Sequence, residues 1–415
     1  MKYAVVLIFA LVLLSACSQD PNNHTITYIS FCDLAPEGYI LIQSWDATGI
    51  DPDDNVYIGF TAFRPDGLED FLLFSYNHQT GDRRFLGSFM QAAADANNLH
   101  YGEEMPKGHT RLVYVNGMVY MASQSFHDFK TSIDHLEDYR GAHIFRYEIA
   151  TGLFTNVTAH LPGGVVIPHE GIIALSHMPS AGYLVGLTHP HSNIVLIDLE
   201  NYQVSRIIKG IPWEPGTTVS RDFVVDDINQ RIFLYRGVEN VYRIPGSIYT
   251  RFDALREFPV YVIDINTDTA AQRTGSSISG GMWGTSLVTS DGLRAYVSTV
   301  GGFLVEVDFV TDRVRLIGNL LPGEFQRIHR LNSLYVITFS PCETRLYSIP
   351  TYAGYITGLF QFCLETRDST RKLQLPARVY TGNGIRDSHG NMYFAAFGYH
   401  NWSGDCRLLI IRLED

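Results

Sequence analysis

Histidine, arginine and tyrosine recur in short, similar settings through the first two thirds of this 415-residue chain. His109 stands in Lys107-Gly108-His109-Thr110, and His127 in Ser125-Phe126-His127-Asp128. His169-Glu170 comes next, then His189 and His191 in Leu187-Thr188-His189-Pro190-His191, then Ser220-Arg221 and Tyr235-Arg236. A long connection from Arg236 to about Pro259 adds Tyr242, Arg243, Tyr249 and Arg251. Histidine and tyrosine carry protons, and arginine is a permanent cation whose planar fork matches a carboxylate. Such a set suits β-elimination on a uronic-acid polysaccharide. Arginine pairs with the sugar carboxylate and makes the developing enolate-like charge bearable, while a His or Tyr removes the C5 proton and another protonates the leaving O4. The chemistry requires no cofactor. The order of a Ser-His-Asp triad, a Gly-rich phosphate loop and a His-Glu-x-x-His helix are all missing. A carboxylate-pair glycosidase finds few acids beside Glu170. Asp51, Asp53 and Asp54 are spaced as a strand-connecting turn rather than as a calcium loop.

The elements that must hold these residues are strands. The chain is rich in Tyr, Phe, Val and Ile, and short apolar runs alternate with Gly, Asp and Asn turns. One unit recurs: two hydrophobic strands, a variable loop, a third strand ending in an acid, a turn and a basic strand. The third strand is clearest at Ala142 to Glu148, Ile194 to Asp198, Val260 to Asp264 and Leu304 to Asp308. A four-stranded repeat of this kind predicts an all-β, seven-bladed β-propeller. Its blades fall near 41–90, 108–160, 170–210, 220–278, 281–321, 331–374 and 378–415. The last unit ends on its third strand, Cys406 to Leu413, and Thr25 to Cys32 has no unit of its own. The N-terminal strand is expected to complete the last blade and close the ring, which leaves no open sheet edge. In such a ring, residues just before an inner strand or just after a second strand converge on one rim of the central channel. His109, His127, His169, His189, His191, Arg221 and Tyr235 all meet that condition. Catalytic roles are expected for His109, His127, Tyr235, Arg221 and His189, and substrate contacts for His169, His191, Arg251 and Trp283.

Several of these segments resemble the seven-bladed propeller ulvan lyases. The resemblance is carried by Gly108-His109-Thr110, by Val119 to Ser123 leading into Ser125-Phe126-His127, and by Tyr139-Arg140-Gly141-Ala142-His143. Ser220-Arg221 before Asp222-Phe223-Val224-Val225-Asp226 adds to it. The family cleaves the bond between sulfated rhamnose and a uronic acid, leaving an unsaturated uronate. The likeness implies that His109 and His127 are pocket histidines, that Arg221 neutralises the carboxylate and that Tyr235 is an acid or base. His189 stands where the family pattern implies Tyr, and Arg251 competes with Arg221. Related lyases carry structural metals, so zinc or calcium is a possible structural ion.

The N-terminus reads as an export signal. Met1-Lys2 precedes an apolar run from Tyr3 to Leu14, and Leu14-Ser15-Ala16-Cys17 resembles a bacterial lipobox. The expected division is a signal peptide over 1–16, a tether over 17–24 and the propeller over 25–415. Acylated Cys17 would anchor a monomeric lipoprotein to the outer membrane or cell surface. A net charge of −12 argues against nucleic acid and leaves an acidic polysaccharide as the partner of a locally basic pocket. Cys32 and Cys406 should meet at one rim, as a disulfide or, with His400, as a zinc site. Cys342 and Cys363 are expected as buried thiols or a second bridge. The rival class is a non-catalytic surface propeller that binds a glycan or protein, for which Trp283, Tyr399 and Trp402 speak. A metal-dependent pectin-oligomer lyase on the same architecture is a third reading.

Overall fold

The structure is a computed structural model that describes residues 24–124, 139–189, 191–209, 218–219, 221–237, 242–243, 250–251, 257–267, 269–279, 283–299, 302–326, 335–350, 358–375, 383–397 and 406–413. It is all-β, with seven blades arranged in a ring. The first six blades run outward in chain order. The second comprises Val113–Val115, Met118–Ala122, Ile144–Glu148 and Leu153–Asn156, and the third Gly171–Met178, Tyr183–His189, Ile194–Asp198 and Val204–Ile208. Every neighbouring pair within these two sheets is antiparallel.

The ring closes as the sequence predicts. His24–Ser30 pairs antiparallel with Cys406–Leu413, from His24 opposite Leu413 to Ser30 opposite Arg407, and becomes the outer strand of the last blade. The core is divided among the blade interfaces. Met392, Phe394, Leu409 and Ile411 face the sixth blade, whereas Tyr393, Ala395, Leu408 and Ile410 face the first. Strands covered on both faces therefore read as continuous apolar runs rather than as alternation. The same division recurs between every pair of neighbours around the ring.

Turns between first and second strands repeat one device. Asp51 accepts from the backbone N–H groups of Asp53 and Asn55 (3.0 and 2.9 Å), from Asn55 Nδ2 (2.9 Å) and from the Tyr57 hydroxyl (2.8 Å). Asp387, in Asp387-Ser-His-Gly-Asn391-Met-Tyr393, does the same with His389, Asn391 and Tyr393. The Asp51 carboxylate thus ties a hairpin, as the spacing indicated.

Candidate functional site

Near one rim the inner strands of five consecutive blades lose their register. In the first blade, Ile40–Gln43 and Thr48–Ile50 both pair with Asn55–Phe63, and residues 44–47 loop out between them. In the second, Lys107 bridges Gln124 and the ladder resumes at Val113 opposite Tyr120. The third slips between Ile172 and Ala174, and the fifth between Trp283 and Ser286. In the fourth, Thr218–Val219 and Val224–Asp226 flank residues 220–223. A bulge bends its strand and re-aims side chains, and such features gather next to functional sites. The displaced backbone finds other partners: Ala122 N–H donates to Thr110 Oγ1 (3.2 Å), Thr285 N–H to Ser298 Oγ (3.0 Å) and Gly59 N–H to the Ala47 carbonyl (2.8 Å). Gly59 is required here, because a Cβ would come within 1.9 Å of the Phe71 ring.

These irregular segments bring Trp45, Asp46, His109 and Arg221 near one another. His109 is 5% exposed and stacks on Trp45, with ring centroids 5.5 Å apart and planes 22° from parallel. Its Nδ1 lies 3.3 Å from the Ile173 carbonyl, freed by the bulge of the third blade, and 3.4 Å from Asp46 Oδ2. Both neighbours are acceptors, so the network assigns the proton to Nδ1 and the lone pair to Nε2. Lys107 Nζ sits 3.9 Å from the centroid of the Trp45 ring. Burial, with Arg221 and Lys107 nearby, holds His109 well below the ordinary imidazole range. Burial and the same two cations push His189 down to about 4, with His191 contributing. Burial and Arg221 bring Lys107 down to about 7 against the opposing charge of Glu69. Three blades thus bring ionisable nitrogens into mutual repulsion, and at neutral pH both imidazoles are neutral bases. An anion entering among them would relieve that repulsion.

Acidic groups hold the surroundings in place. Glu170 is buried, accepts from Thr188 Oγ1 and Asn193 Nδ2, and pairs with His191 Nδ1 at 3.0 Å. Arg111 reaches from the second blade to Asp222 of the fourth (2.6 Å) and to the Ser286 carbonyl and hydroxyl of the fifth (3.1 Å each). Asp222 also accepts from the backbone N–H groups of Phe223 and Ser286, which fixes the residue next to Arg221. A second buried network joins the first two blades. His143 Nδ1 accepts from the side-chain amides of Asn98 (3.2 Å) and Asn156 (3.1 Å), and Nε2 donates to Glu103 (3.3 Å). Arg140 pairs with the other Glu103 oxygen at 2.8 Å.

Of the residues expected to share the rim, the structure brings together His109, His189 and Arg221, with His191 beside them through Glu170. His169 is exposed, has φ of 62° and takes its Nδ1 to the Tyr139 carbonyl at 2.9 Å, the geometry of a turn. His127, His400, Tyr399, Trp402 and Cys17 lie outside the described residues, as do the side chains of Tyr235, Arg251 and Trp283. Sequence reasoning missed Trp45, Asp46, Lys107, Arg111 and Asp222 as pocket groups. Lys107, Arg111 and Asp222 adjoin motifs it singled out, whereas Trp45-Asp46 lies within an inner strand, where only the bulge exposes it.

The register of Ser30 opposite Arg407 brings Cys32 and Cys406 to one end of the closing pair, Cys32 exposed and Cys406 buried, while His400, the expected third member of a zinc site, lies outside the described residues. Cys342 is exposed and Cys363 partly buried, where buried side chains were one expectation, because the hairpin turn holding Cys342 faces solvent. Among the described residues no group of three or more His, Cys, Asp or Glu side chains is arranged to hold a metal.

No protein-family model matches the sequence, and no curated protein is similar to it at the sequence level. Solved structures are similar in fold. The β-propeller domain of Cps50 (Swd1) from Myceliophteria thermophila matches with a TM-score of 0.55 at 10% identity, over 92% of this chain and 100% of that one. A chain of the Mitotic Checkpoint Complex matches with a TM-score of 0.55 at 8% identity, over 96% and 94%. A chain of Kuenenia stuttgartiensis hydrazine synthase matches at 0.51 and 12% identity, over 90% and 97%. The β-propeller fold is the feature shared with the Cps50 domain. At these identities the likeness extends to the fold alone.

Proposed function

We propose that the chain is a polysaccharide lyase that cleaves a uronic-acid polysaccharide by β-elimination. The observation that carries this reading is the cluster of Lys107, His109, His189 and Arg221, in which cations and neutral imidazoles from three blades share one rim. Arg221 would pair with the sugar carboxylate and spread the charge that develops as C5 loses its proton. His109 is the base we favour, because Asp46 and the Ile173 carbonyl occupy its Nδ1 and leave the Nε2 lone pair. Burial keeps that imidazole unprotonated and ready to accept. The electron pair of the C5–H bond becomes the C4=C5 double bond as the C4–O4 bond breaks. O4 then takes a proton from a second carrier, for which the sequence offers His127 and Tyr235. Ulvan is the substrate that the resemblance to ulvan lyases suggests, and acylation at Cys17 would hold the enzyme at the cell surface.

The test is to mix the protein with ulvan, pectin, alginate and heparan and follow the ultraviolet absorbance of the unsaturated uronate. A rise on ulvan supports the full reading, and a rise on another uronan supports elimination with a different substrate. Silence on all four, together with retention of the protein on an immobilised uronan, would favour the non-catalytic glycan-binding propeller.

A further inference from the structure

Lysine is scarce in this chain: five of its 31 basic residues are Lys, and the rest are Arg. One of the five, Lys107, stands at the candidate site. The choice matters because an arginine cannot shed its proton near neutral pH whereas a desolvated lysine can. Lys107 is fixed at both ends. Its carbonyl accepts from Gln124 N–H at 2.9 Å, and its Nζ lies 3.9 Å from the Trp45 ring centroid. Trp45 is itself held by the stacked ring of His109.

Among the described residues, groups from four blades face Lys107. Arg221 of the fourth opposes its charge, Glu69 of the first favours it, and the Trp45 face favours it through the ring quadrupole. His109 of the second blade and His189 of the third feel Lys107 and Arg221 together. Burial is the main influence against the Lys107 ammonium and Arg221 the second, so one carboxylate placed against both would cancel the repulsion and set a negative charge beside the buried amine.

We propose that Lys107 is a second receptor for the carboxylate of an acidic sugar, standing beside Arg221 and taking up a proton as the carboxylate enters. The inference rests on the acidic-sugar part of the reading above and is independent of the elimination step. No covalent bond changes: the proton comes from solvent, and the ammonium so formed shares the anion with the guanidinium. At low pH the proton is already in place, and the ligand binds two cations. As pH rises through the titration of Lys107, binding must also draw the proton from solvent, so affinity falls.

The experiment uses the full chain carrying carbon-13 at the lysine Cε positions, so that each amine reports through its own resonance. The signal lost in Lys107→Arg identifies Lys107. Alone, Lys107 is expected to titrate near pH 7, and saturating sodium glucuronate should move the midpoint up by about one unit or more. The glucuronate dissociation constant of the unaltered chain should then weaken roughly tenfold on passing above that midpoint. Lys107→Arg should bind on both sides of it without that change, and Lys107→Met should bind weakly throughout. An unmoved Lys107 midpoint at saturating glucuronate, or a Lys107→Arg protein that keeps the pH dependence, overturns the proposal. Failure of the unaltered chain to bind glucuronate at any pH overturns both it and the acidic-sugar site. Binding with proton uptake but no unsaturated product removes only the lyase reading.

Discussion

Asp70 lies in the third strand of the first blade, is fully buried and caps the start of the helix Phe89–Asp95. One carboxylate oxygen accepts from the backbone N–H groups of Phe71 (2.8 Å) and Met90 (3.0 Å), and the other from the Ser88 hydroxyl. Burial nevertheless outweighs those bonds and raises its carboxyl to about 6. For an acid whose folded value exceeds its unfolded value near 3.9, the favourable contribution is present in acid and lost as pH climbs through 4 to 6. Asp70→Asn keeps an oxygen toward Phe71 and Met90 and turns an amide toward Ser88. The gain in stability over the parent should therefore be about 3 kcal/mol at neutral pH and vanish near pH 4, read from urea unfolding at several pH values. At the site, His109→Gln retains a side chain of polar character but removes the titrating base. Product formation from a uronan should fall by roughly 10²-fold or more, while the protein still unfolds as one transition. Undiminished activity in that variant would exclude His109 as the base.

At the scale of elements, the inner-strand bulges turn a uniform ring of sheets into an asymmetric pocket. Arg111 shows how they are tied together, since its guanidinium spans the second, fourth and fifth blades through Asp222 and Ser286. Arg111→Met should destabilise the chain by about 3 kcal/mol, because it leaves the buried Asp222 without its cation. Asp222→Asn added to Arg111→Met should recover much of that loss, as a double-mutant cycle in unfolding free energy would show. Gly141 makes a similar link, between the second and third blades. It has φ of 135° and bridges Pro168, and a Cβ there would meet the Ile167 carbonyl at 2.1 Å. Gly141→Ala should therefore lower the unfolding temperature and expose the Glu103–Arg140–His143 network to solvent, seen as faster amide exchange at His143. The sequence motif around Arg140 and His143 marked this place, but only the packing shows that it joins blades.

For the molecule as a whole, closure is the decisive structural event. His24–Ser30 covers the hydrogen-bonding edge of Cys406–Leu413, and Ile26 and Tyr28 pack with the interface between the sixth and seventh blades. Deleting residues 24–30 would bare an apolar edge strand and remove part of that interface. The truncated chain should melt at a lower temperature and form higher-order species on size exclusion, whereas the intact chain elutes as one species. Elsewhere the ring presents polar outer strands, such as Arg83–Ser88, whose Arg83 pairs with Asp33 (2.8 Å) and so links that strand to the segment following the closing strand.

Blade number, blade boundaries and closure were legible in the residues themselves, because each follows from local periodicity and from a strand count left unbalanced at one end. Convergence of His109, His189 and Arg221 was legible for the same reason, since a four-stranded repeat fixes which strand ends share a rim. Tertiary structure decided the rest. An irregularity in an inner strand shifts register without leaving a mark in composition, so the entry of Trp45 and Asp46 into the pocket had no sequence signal. Charge coupling is likewise a matter of distance and burial. Lys107, passed over beside a more conspicuous histidine, becomes a titrating group only when folding buries it and brings Arg221, more than a hundred residues away in sequence, near it.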